Sequence, residues 1–122
     1  MVRYATTFSE YADILARNAP HALILGEWRR LDRAIDEYYA RRGKERPSKP
    51  SQIEADVARD PLLGLEASCQ LRGLRVERNR VTHEAVGSVS YEEATFYARH
   101  AMRLTWTLAG AGSFTDIELP RT

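Results

Sequence analysis

Residues 62–83 read Leu-Leu-Gly-Leu-Glu-Ala-Ser-Cys-Gln-Leu-Arg-Gly-Leu-Arg-Val-Glu-Arg-Asn-Arg-Val-Thr-His, and the way this stretch is periodic decides how the chain is organised. One stripe runs Leu63, Ala67, Leu71, Leu74, Arg78, Val81 and on to Ala85. A second runs Leu62, Leu65, Cys69, Gly73, Val76 and on toward His83. Steps of three and four residues are the signature of one face of a helix. Two such stripes predict a helix covered on both sides, either central in a bundle or partly at a subunit interface. Cys69, on the second stripe, is expected as a small core residue. Asp60-Pro61 reads as the N-cap and first helical residue of this element.

Working outward, every other segment also reads as helix. Phe8, Tyr11, Ala12 and Leu15 share a face of a short first helix ending near Asn18. Pro20 suits the first turn of the next, where its missing N–H costs nothing. Ile24, Trp28, Leu31, Ile35 and Tyr38 then recur at spacings of 4, 3, 4 and 3 up to Gly43. Residues 43–50 hold two prolines and no apolar anchor, which predicts a mobile loop. Ser51 and Glu54 have the capping-box spacing for a short helix through Val57, and Ser90 with Glu93 has it for the last one. That last helix carries Ala94, Tyr97, Ala98, Ala101, Leu104 and Leu108, and Gly110 and Gly112 stop it. The expected fold is all-α: a single domain over 1–122, an antiparallel bundle of four to five helices with a tail from 113.

Charge is unevenly spread along the 122 residues. The formal net charge is +1, and 16 of the 18 cations are arginine. Residues 41–49 carry a local +4 and residues 72–80 a local +3, which leaves −6 for the remainder. A uniformly basic nucleic-acid sleeve is excluded, whereas a local basic site is not. A lone cysteine cannot form an internal disulfide, and no apolar run reaches the length of a membrane span. A soluble, cytoplasmic protein with no membrane partner is expected.

Metal chemistry finds no ligand set. His21, His83 and His100 lie far apart, and the zincin-like start His83-Glu84 meets Gly87 where a second histidine must stand. No nucleophile elbow or dinucleotide fingerprint is present, so no cofactor is expected. What remains is Arg78-Asn79-Arg80-Val81-Thr82-His83, flanked by Arg75. This run has the form R-N-x-x-x-H and resembles the signature of the HEPN superfamily. The resemblance extends over most of residues 8–110: the motif ends a long Leu-rich helix, precedes a capped final helix, and sits in a chain of HEPN size.

The resemblance implies a HEPN-like bundle whose two motifs meet across a homodimer interface formed by the helix carrying Arg78 and His83. It implies metal-independent endoribonuclease activity of the toxin or defence class, with RNA as substrate and a cognate antitoxin protein as partner. Arg78, Asn79 and His83 are the expected catalytic residues, and Arg75 and Arg80 the expected substrate-binding ones. Histidine is the side-chain type that exchanges protons near neutral pH, so His83 can take the proton of a ribose 2′-hydroxyl. That oxygen then attacks the adjacent phosphate and leaves a 2′,3′-cyclic end. The Arg78 fork faces the charge that builds on the phosphate, and Asn79 fixes the imidazole or the phosphate. Toxins of this family that pair with nucleotidyltransferase antitoxins often carry a tyrosine two residues after the histidine; here that position is Ala85, so this pairing is not implied.

Helix geometry sets a condition on this chemistry. Residues five apart on a straight helix point about 140° apart, so Arg78 and His83 need either a bend or a second protomer to share one phosphate. The alternative is a non-catalytic HEPN module that binds nucleotide, RNA or a protein partner. In that reading Arg78 pairs with an acid such as Glu84 or Glu93 and holds the last two helices together.

Overall fold

A computed structural model describes residues 8–84 and 87–110. Five helices make up the chain: α1 (Phe8–Asn18), α2 (Pro20–Arg41), α3 (Pro50–Arg59), α4 (Gly64–His83) and α5 (Tyr91–Leu108). They pack on one another as an all-α bundle, with no strand among the described residues. The expected Gly112 stop, the tail and Ala85 lie outside the described residues.

The centre of the bundle is the α2–α5 pair, the most extensive helix contact in the molecule. Ile24, Leu31, Ile35 and Tyr38 supply one side and Ala94, Tyr97, Ala98, Ala101, Leu104 and Leu108 the other, all buried. Three alanines on α5 let the two backbones come close. These two helices run parallel, because the Arg41 guanidinium at the end of α2 donates to the Leu108 carbonyl at the end of α5. The other neighbours are antiparallel. Tyr91 at the start of α5 donates to Asp13 in the middle of α1 and carries the Arg17 guanidinium, at the end of α1, over its ring, and His21 at the start of α2 lies 3.0 Å from the Val81 carbonyl at the end of α4. That last contact gives the Val81 carbonyl a second donor beside the Glu84 N–H.

Helix ends follow the sequence at some points and depart at others. The Ser90 capping box forms in full, with the Glu93 N–H donating to Ser90 Oγ at 3.0 Å and the Ser90 N–H to Glu93 Oε1 at 3.2 Å. The expected box at Ser51 does not form. Pro50 is already the first helical residue, the N-cap Lys49 makes no side-chain cap, and the Glu54 carboxylate turns to Arg75 instead, 2.7 Å away. The fourth helix also starts later than Asp60-Pro61 suggests. Asp60 Oδ1 accepts the Leu62 N–H at 2.8 Å and folds the chain into a turn. Gly64, at φ +83°, separates that turn from the helix proper. In the segment 43–50, Arg46 reaches back to Asp32 and Asp36 on α2, each at 2.6 Å.

Candidate nucleic-acid site on helix α4

The two stripes of α4 have opposite fates. Ala67, Leu71, Leu74 and Val81 are buried against the rest of the bundle. On the other stripe Leu65 is 70% exposed and Val76 52% exposed. Cys69, expected in the core, is exposed as well. The reason is geometric: α2, α3 and α5 all contact α4 from its inner side, and among the described residues nothing covers its outer one. At about 100° per residue, Leu65, Cys69, Arg72, Val76, Asn79 and His83 follow one another along that outer face in steps of four and three.

Each motif residue can now be placed. His83 is the last residue of α4 and exposed. Asn79 is half-buried one turn earlier. Neither side chain makes a hydrogen bond or ion pair among the described residues. Arg78 lies on the inner side of the helix, its guanidinium carbon 5.1 Å from the centre of the Trp28 ring on α2. Its Nε is buried without a hydrogen-bond acceptor. No carboxylate lies within ion-pair distance of it among the described residues. The structure therefore brings Asn79 and His83 to one face and turns Arg78 to another. No break in α4, one helix from Gly64 to His83, falls between them.

The flanking arginines are spoken for. Arg75 Nε lies 2.7 Å from Glu54 Oε2. Arg80 meets three carboxylates: Glu77 at 2.5 Å, Glu84 at 2.5 Å and Glu93 at 2.9 Å. Hydrogen bonds from Arg80 hold Glu77 and Glu84 below the usual carboxylate range, and the same bonds push Arg80 up. The run of arginines that reads as a basic cluster along the chain is thus interleaved in space with Glu54, Glu77, Glu84 and Glu93. Glu84 and Glu93, the example partners expected for Arg78, both pair with Arg80 instead.

Sequence reasoning missed two residues near this region. Trp28 reads as a core position, yet it is half-buried and serves as the platform for Arg78. Glu27, its neighbour, is 1% exposed in the core, and its Oε2 has no hydrogen-bond partner. The signal for Glu27 was available: Ile24, Glu27 and Leu31 follow the same apolar spacing. Desolvation raises the Glu27 carboxyl above its ordinary value, against the opposing pull of Arg30 and the Tyr11 hydroxyl. A carboxyl raised on folding adds stability that is present below its unfolded pKa and lost as pH rises through its folded one. Glu27→Gln, which keeps the shape and removes the charge, should therefore gain thermal stability relative to wild type as pH rises from 4 to 8. Parallel melting curves check this, and a constant offset across that range would contradict it.

Among the described residues no group of three side chains could hold a metal ion, and no helix is long and apolar enough to cross a membrane. Comparison with known proteins returns no match: no family model fits the sequence, no curated protein aligns with it, and no solved structure resembles it significantly.

Proposed function

We propose that this chain is a HEPN-type, metal-independent endoribonuclease of the toxin or defence class that acts as a homodimer through α4. The observation that carries the reading is the outer face of α4, where exposed Leu65, Cys69 and Val76 lead directly to Asn79 and His83, whose side chains have no bond among the described residues. A second copy packed on this face would bury the apolar stripe and bring two R-N-x-x-x-H motifs together. RNA would then lie across the junction, His83 taking the proton of the 2′-hydroxyl and Asn79 holding the imidazole or the phosphate. Among the described residues Arg78 has no ion pair to break. Turning its fork from Trp28 toward a phosphate gives up a cation–π contact worth about 0.5–2 kcal/mol, of the order that a charge-assisted bond to the phosphate returns. Arg75 and Arg80 act on the flanking backbone only after exchanging a carboxylate for a phosphate.

The test is cleavage of a single-stranded RNA by the full chain in excess chelator. New fragments should end in a 2′,3′-cyclic phosphate, and DNA of the same sequence should stay intact because it lacks the attacking hydroxyl. Intact RNA at enzyme excess would overturn the reading. The pairing of Arg75 and Arg80 with glutamates favours a second reading, a non-catalytic HEPN module for nucleotide, RNA or a protein partner, which would retain such a ligand without cutting it.

A further inference from the structure

On the inner side of α4, away from His83, helices α2, α3 and α4 and the 43–50 segment enclose a groove of about 320 Å³. Trp28, Ile35, Ile53 and Leu71 give it apolar surface, and Arg46, Arg75 and Arg78 line it together with Asp32 and Glu54. Arg46 is held by two carboxylates, Asp32 and Asp36, each at 2.6 Å, and Arg75 Nε is 2.7 Å from Glu54 Oε2. Among the described residues Arg78 alone of the three arginines has no carboxylate within ion-pair distance. Its Nε is buried without an acceptor, and its guanidinium rests on the Trp28 ring. A guanidinium with one nitrogen buried without an acceptor, and with no carboxylate in ion-pair range among the described residues, rests on the Trp28 ring alone, and an oxyanion in the groove supplies the missing counter-charge. The groove is at the small end of ligand pockets, so its occupant is about one ring in size.

We infer that this groove binds a small aromatic oxyanion, a single ring carrying one carboxylate or phosphate group, with the anion on Arg78 and the ring against Trp28 and its apolar neighbours. The site rests on the placement of Arg78 and Trp28 and does not depend on RNA cleavage.

Titration of the full chain with benzoate and with phenyl phosphate, without RNA, tests the site through the Trp28 indole N–H and Arg78 Nε–H resonances. Saturable shifts of both are expected with at least one probe. Acetate, which lacks the ring, and benzyl alcohol, which lacks the charge, should each bind about tenfold or more weakly. Tighter binding of benzoate assigns the carboxylate and tighter binding of phenyl phosphate the phosphate ester; either supports the site. Trp28→Leu and Arg78→Gln should each weaken binding about tenfold, and Arg78→Lys less. Two variants guard against one failing to fold. Shifts that remain linear to roughly 10 mM for both probes, or binding unchanged by a folded Arg78→Gln, would overturn the inference. Because no RNA is present, that failure is separable from a failure of the ribonuclease reading.

Discussion

Replacing His83 with alanine should lower RNA cleavage by about 10²–10⁴-fold, the usual worth of a general base, and leave thermal stability unchanged within about 0.5 kcal/mol. Both halves follow from where the side chain sits. His83 is exposed at the last position of α4, and it makes no hydrogen bond or ion pair among the described residues, so its removal takes no packing from the core. Arg78→Ala is different in kind. It also removes the contact with Trp28, so it should reduce both activity and stability. Arg78→Lys keeps the charge but loses the planar fork, and should retain only part of the activity. The comparison matters because a contaminating nuclease would be indifferent to all three substitutions. Equal cleavage by wild type, His83→Ala and Arg78→Ala would sink the enzyme reading, whatever the fold.

Most of the fold was legible because its central elements bury one regular face each. The spacing of Ile24, Leu31, Ile35 and Tyr38 needs a single partner surface, and the alanine-rich face of α5 provides one. Local chemistry was legible where only neighbours compete, as at Ser90 and Glu93. It failed where a distant group offered more: Glu54 leaves its own helix start for Arg75, 21 residues on. The same limit applies to charge. A run of arginines has an electrostatic meaning only once its neighbours in space are known, and Glu54, Glu84 and Glu93 come from outside the run. Angular geometry was the more reliable guide. The rotation between positions 78 and 83 already separated Arg78 from His83, and α4 stays unbroken across that interval.

Two leucines on α4 should answer oppositely to substitution, because periodicity marks both stripes as apolar and cannot say what covers them. Leu71 is 3% exposed beneath α2 and α3, whereas Leu65 is 70% exposed on the outer face. Leu71→Ala leaves a cavity in a core that collapses only partly around it, and should cost about 2–5 kcal/mol. That is a drop in melting temperature of roughly 10 °C or more for a domain of this size. Leu65→Glu combined with Val76→Glu removes no core contact. Its helical content should match wild type, while its mass in solution falls from that of a dimer to that of a protomer. Charges facing each other across a closed α4 interface would be desolvated and unpaired, which the interface cannot tolerate. Light scattering on both variants beside wild type reads the two effects separately. A wild-type chain that is monomeric at tens of micromolar, or a double glutamate variant that still dimerises, would remove α4 from the interface. The composite site would then lose its support, because Arg78 of one protomer rests on Trp28 while its His83 is exposed at the helix end.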